Sequence, residues 1–220
     1  MNDTETPQNR GASPPPPPQD LTIIDVIKEV FTRFEAFAKQ HLLRPRPPQQ
    51  LIMIWLIGMD AVAGSIELES VYMGEYVVSD WFHAWVRIMV GGVAAGAMRY
   101  WVAGSLFHVA VLLARGRGTM RTSRYIFLYA VVPVAVVELS LRVVEMLVYG
   151  NDYFTGDTSA ALDLLVGAAM FAAFLFSARL AYIGMTRLQG ADPRRTIAVL
   201  VAAGVGMLLA IIGLGAMGGS

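Results

Sequence analysis

The sequence contains 220 residues, of which 55% are hydrophobic, and its formal net charge is zero. A mean hydropathy of +0.53 is high for a soluble domain of this length and predicts an integral membrane protein. The balanced charge argues against general attraction to nucleic acid, and the absence of cysteine excludes disulfides, thiolate metal sites and cysteine nucleophiles.

The N-terminal stretch, residues 1–19, is polar and ends in the run SPPPPPQ. Consecutive prolines favour polyproline II and cannot continue a helix, so we predict a disordered, Pro-rich tail with a stiff spacer. A docking motif for a proline-binding partner is the alternative. The stretch lacks a basic and then apolar leader, so we expect the first apolar segment to direct insertion.

Residues 20–44 predict an amphipathic helix, because apolar side chains recur at spacings of three and four. The apolar face would comprise Ile23, Ile27, Val30, Phe31, Phe34, Phe37 and Ala38. Asp20 can cap its start and Pro45 stops it. Two placements remain open: the helix lies in the membrane interface, or it packs on the protein's own loops.

The remaining region, residues 45–220, contains apolar segments separated by short polar loops. The last four have the roughly 20 residues that a helix needs to cross a 30 Å hydrocarbon core, and the first reaches that length only if it extends into its acidic end. The fold class predicted is therefore all-α, an integral membrane bundle of five transmembrane helices with an N-terminal amphipathic interfacial helix. The helices are expected at about 51–70, 85–114, 125–149, 159–185 and 196–218. The second is long enough that it must tilt, bend at Gly91–Gly92 or project from the bilayer.

The loops alternate in charge. The loop between the first two segments carries acids and no Lys or Arg, the next carries four Arg and no acid, and the same alternation continues. By the positive-inside rule, the N-terminus is cytoplasmic and the C-terminus is outside. Fifteen of the 17 basic residues are Arg, which hints at a bacterial genome and hence at the cytoplasmic (inner) membrane.

Charged side chains inside the apolar segments require partners, because an unpaired charge at the bilayer centre costs several kcal/mol. Glu138, Arg142 and Glu145 share one helix face. Counting residues from the basic loop predicts that Arg99 lies level with Glu138 on the neighbouring helix. The same count places Arg87 near Glu145. The predicted buried charge network is Arg87, Arg99, Glu138, Arg142 and Glu145.

Asp60 and His108 lie at similar depth in the first and second segments, and we expect a second polar contact there. A lone membrane histidine is more typical of a packing residue than of a metal ligand. We found no catalytic motif, so we predict no metal, no cofactor and no enzymatic activity. The basic loop residues Arg115, Arg117, Arg121 and Arg124 are placed to contact anionic lipid headgroups.

Small residues within the segments predict close helix packing. Gly92 and Gly96 have the GxxxG spacing, and further glycines lie in the last segment. These Gly-rich helices suggest self-association or association with other membrane proteins, besides contact with the lipid bilayer.

The stretch WVAGSLFHVAVLLARGRGTMRTSRYIFLYAVVP, residues 101–133, resembles the Yip1-domain family. It combines a helix, a Gly-containing basic turn and a second helix with Tyr129 four residues before Pro133. The resemblance implies a cytosolic N-terminal region, five spans and an external C-terminus. It also implies a non-catalytic role in membrane organisation, or as a subunit that associates with other membrane proteins. A small transporter or channel that uses the Arg/Glu network is the alternative, and an intramembrane hydrolase is a weaker one.

Overall fold

The structure is a computed structural model that describes residues 22–43, 47–73, 81–149 and 160–218. Helices and short turns form all of this described part, without a strand, so the all-α prediction is confirmed. The helices are α1 (Ile23–Leu43), α2 (Pro47–Met73), α3 (Trp81–Met98), α4 (Gly104–Leu113), α5 (Met120–Tyr149), α6 (Ala160–Ile183) and α7 (Pro193–Gly218). Two π-helical segments, Arg99–Ala103 and Gly184–Leu188, follow α3 and α6.

Four helical stretches in the described residues are long and apolar enough to cross a membrane: Pro48–Ile66, Phe82–Leu113, Met120–Tyr149 and Leu164–Leu188. The protein is therefore a multi-pass membrane protein, as predicted. The fifth predicted span falls on α7, and the count of five remains a prediction. The Pro-rich tail lies outside the described residues, as do residues 74–80 and 150–159 of the two acidic loops.

Helix α5 is the centre of the bundle. Half of its most apolar stretch is buried, against 17% for the stretch that contains α3 and α4. It contacts α1, α2, α4 and α6, and its side chains Ile126, Leu128, Val132 and Ala135 belong to the main core. Pro133 lies buried inside this helix, where proline removes one backbone hydrogen bond. The third span therefore provides the surface on which these four helices pack.

Helices α2 and α3 approach closely through three glycines. A Cβ atom at Gly58 would overlap the carbonyl oxygen of Gly92, and one at Gly96 would overlap the carbonyl oxygen of Ile54. Such contact between backbones is the use that GxxxG spacing has in membranes. The packing role predicted for Gly92 and Gly96 is confirmed. By contrast, Gly204 on α7 has no neighbouring atom within 4 Å of a built Cβ.

Helix α1 begins with a reciprocal cap, in which the Asp25 amide donates to Thr22 Oγ1 at 3.3 Å and the Thr22 amide donates to Asp25 Oδ2 at 3.0 Å. The predicted cap, Asp20, lies outside the described residues. A kink at Arg33 (φ −139°, ψ 40°) divides the helix. Its buried face consists of Val26, Val30, Phe34, Phe37 and Ala38.

Helix α1 rests on α5 and α6. The Phe37 ring meets the edge of Tyr129 on α5 at 5.0 Å, and the Phe31 ring stacks on Phe176 of α6 at 5.4 Å. At the helix surface, Arg187 Nη1 binds Glu35 Oε2 at 3.0 Å. The apolar side chains of α1 are thus largely buried against other helices of the protein. An additional place in the membrane interface remains a prediction.

Candidate functional site

An ion pair joins the first two spans inside the bundle. Arg99 Nη1 binds Asp60 Oδ2 and also donates to the carbonyl oxygen of Ile57 at 2.9 Å. Asp60 is 2% exposed, and its second carboxylate oxygen, Oδ1, is buried without a hydrogen-bond partner. Arg99 begins the π-helical segment, and π-bulges in helices are frequent at functional sites.

The predicted pair of Arg99 with Glu138 is wrong, because the carboxylate that faces Arg99 is Asp60. Counting residues from a loop estimates depth in the membrane, but it does not show which helix lies beside which. The glycines allow α3 to pack closely on α2, so the acidic side chain that binds Arg99 belongs to α2.

A second group of charges includes three side chains of α5. Arg142 Nη1 is 3.4 Å from Glu145 Oε2, and Arg142 Nη2 is 3.9 Å from Glu138 Oε1. These side chains are 7–15% exposed, since their shared face points into the bundle. One guanidinium therefore stands between two carboxylates, as the sequence spacing suggested. Arg87 lies partly buried on α3, and its predicted place near Glu145 stays a prediction.

His108 belongs to a different polar chain from the one predicted. Its Nδ1 lies 2.9 Å from Ser123 Oγ on α5, and Ser123 Oγ donates to Gln189 Oε1 at 2.7 Å. Gln189 Oε1 can only accept, so the single hydroxyl proton of Ser123 is donated to it. Ser123 Oγ must then accept from His108, which places a proton on Nδ1 of the imidazole. The predicted contact of His108 with Asp60 is therefore wrong, since each has another partner. Gln189 Nε2 is buried without a hydrogen-bond partner.

Sequence reasoning missed Ser123 and Gln189. Each lies at the end of an apolar segment, where a polar side chain ordinarily meets water and carries no signal of burial. Burial arises because two loops join there: the Arg117 amide donates to the Gln189 carbonyl at 2.8 Å, and the Asp192 amide donates to the Ala114 carbonyl at 2.9 Å. The loop between α4 and α5 is thus fixed to the loop between α6 and α7.

The four loop arginines occupy two environments. Arg115 and Arg117 are exposed, and Arg115 has a positive φ of 60° at the end of α4. The Arg124 guanidinium lies 4.0 Å above the Trp101 ring and its Nη2 donates to Ser105 Oγ at 3.0 Å. The Arg121 guanidinium lies 5.7 Å from the centre of the Tyr125 ring. Within the described residues, no three His, Asp or Glu side chains converge in a way that could hold a metal ion.

A family model described as the Yip1 domain matches residues 28–216, which is most of the chain. The chain belongs to the Yip1 domain family. No curated protein and no solved structure gave a significant match.

The Yip1 domain match includes the ion pairs of the spans and the polar chain of His108. It begins inside α1 and ends inside α7, so it also takes in most of the N-terminal helix that packs on α5. The Asp60–Arg99 pair, the α5 charges and the His108–Ser123–Gln189 chain are therefore features of this Yip1 domain, and none belongs to an added segment.

Proposed function

We propose that this protein is a non-catalytic, Yip1-like membrane protein that organises the membrane or associates as a subunit or scaffold with other membrane proteins. Its place would be the cytoplasmic (inner) membrane, with five spans, the N-terminus in the cytoplasm and the C-terminus outside. In that orientation Arg115, Arg117, Arg121 and Arg124 meet the anionic headgroups of the inner leaflet.

The observation that carries this proposal is that charged side chains in the described spans pair with one another within the chain. Arg99 is bound by Asp60, and Arg142 stands between Glu138 and Glu145. The Asp60–Arg99 pair links two helices and can hold them in register without a substrate. The outward face of α7 supports the role in association, because Val201 and Val205 are exposed and Gly204 has open space beside it.

A small transporter or channel is the second candidate, and one observation favours it. Asp60 Oδ1 is a buried acceptor without a hydrogen-bond partner, beside a π-helical segment. A carboxylate oxygen in such a position could accept a proton or help to coordinate a cation.

The deciding experiment compares purification with flux. The full chain would be extracted in a mild detergent and analysed by native mass spectrometry, and the same preparation would be reconstituted in liposomes. A stable complex with another membrane protein, without ion flux, supports the scaffold. Proton or cation flux that is lost in Asp60→Asn supports the transporter and contradicts the scaffold.

A further inference from the structure

An open apolar groove of about 550 Å³ runs along the outer side of the bundle, where α2 meets α3 and the first π-helical segment. Its walls include Leu51, Ile54, Trp55, Val93, Ala97 and Trp101. Leu51, Val93 and Trp101 are each more than half exposed. In a membrane, this groove therefore opens towards lipid.

Arg124 borders the groove, and Arg121, three residues earlier on α5, lies on the same helix face. Arg124 lies over Trp101, a wall residue, with 4.0 Å from its guanidinium carbon to the ring centre. Arg121 lies over Tyr125, whose ring is 6.3 Å from that of Tyr100, another wall residue. The apolar walls thus continue into a positively charged region at the first turn of α5.

We propose that this groove binds an acyl chain of one anionic phospholipid, whose phosphate is held by Arg121 and Arg124. The acyl chain packs against the apolar walls of the groove. The guanidinium groups donate charge-assisted hydrogen bonds to the phosphate oxygens. The inference rests on the proposed function, because that function places the first turn of α5 at the inner membrane surface.

The shape and the side chains favour a lipid over a transmembrane helix as the occupant. Helix partners in membranes pack on small residues that allow backbones to approach. Here the walls carry Trp55 and Trp101, and Trp55 Nε1 donates to the Met89 carbonyl at 2.8 Å, which fixes its ring. The groove volume is also within the range of about 300–1,000 Å³ that is typical of small-molecule sites.

The test is native mass spectrometry of the full chain with phosphatidylglycerol or phosphatidylethanolamine of identical acyl chains. Arg121→Gln should lower the preference for phosphatidylglycerol about fivefold, the factor that corresponds to the attraction of one basic residue to an anionic surface. Ala97→Phe fills the groove from an exposed position and should reduce retention of both lipids. The matched control is Arg194→Gln, which removes an exposed charge at the start of α7 and should leave both unchanged.

Two outcomes would overturn the proposal. If Arg194→Gln lowers the preference as much as Arg121→Gln, the lipid responds to overall charge and not to this groove. If Ala97→Phe retains both lipids fully, or instead dissociates a dimer of the chain, the occupant is not an acyl chain. The measurement in detergent does not depend on topology, so it fails or succeeds independently of the proposed orientation.

Discussion

Asp60 and Arg99 bind each other between neighbouring spans, yet their exposures differ greatly. The Asp60 side chain is 1% exposed, whereas the Arg99 side chain is 36% exposed. A long, partly exposed arginine can move its guanidinium towards water when its partner is removed, but a short, buried aspartate cannot. The pair should therefore respond unequally to the loss of either member.

Arg99→Leu should destabilise the protein more than Asp60→Leu. Removing one member of a buried pair costs about 3–5 kcal/mol, and here the larger loss falls on the variant that leaves Asp60 alone. The double variant should recover much of the folded yield, because two leucines leave no uncompensated charge. Folded yield in detergent and thermal unfolding measure the effect. If the single losses simply add, the two side chains are not in contact.

Replacing a glycine by alanine should destabilise the protein in α2 but not in α7. Gly58→Ala places a methyl group against the backbone of α3 and should destabilise the bundle by about 1–3 kcal/mol or more. Gly204→Ala is the matched control, since its Cβ meets open space and alanine is the better helix former by about 1 kcal/mol. Thermal unfolding of both variants checks this. Equal destabilisation would show that Gly204 faces another helix in the assembled protein.

Acid should loosen α1. Hydrogen bonds from Lys39 and then Arg187 hold the pKa of the Glu35 carboxyl below its usual value. A lowered pKa in the folded state contributes stability that is complete above the unfolded pKa and is lost as pH falls through the folded value. The protection of α1 amides against hydrogen exchange, relative to the intrinsic exchange rate at each pH, should therefore fall below about pH 4.

Two variants identify the source of that acid response. Glu35→Gln should remove most of it, while Asp25→Asn should remove only a share at the start of α1, where hydrogen bonds from Thr22 lower the pKa of Asp25. A response that persists unchanged in both variants would mean that other carboxylates control how α1 is bound.

Single cysteines should report the topology, because the natural sequence has none to interfere. Arg117→Cys should react with an impermeant maleimide only from the cytoplasmic side. Asp152→Cys and Ser220→Cys should react only from the outside. Labelling of Ser220→Cys from the cytoplasm would contradict five spans.

The sequence predicts features that lie within one helix better than it predicts contacts between helices. Apolar length predicted the membrane spans, and the spacing of Glu138, Arg142 and Glu145 predicted their shared face, because both follow from helix geometry. The partner of Arg99 could not be predicted, since it depends on which helix the glycines bring nearest. The burial of Gln189 could not be predicted either, because it results from two distant loops meeting.

The polar chain from His108 to Gln189 has a consequence for biosynthesis. Ser123 accepts from a histidine that is synthesised before it, but donates to a glutamine 66 residues further along the chain. Until the ribosome has delivered the end of the fourth span, that hydroxyl group and the amide of Arg117 lack their final acceptors. The first three spans therefore form an incomplete bundle, in which water at the membrane surface takes the place of Gln189 as the acceptor. The polar chain closes, and that water is displaced, only when the fourth span has joined the other three.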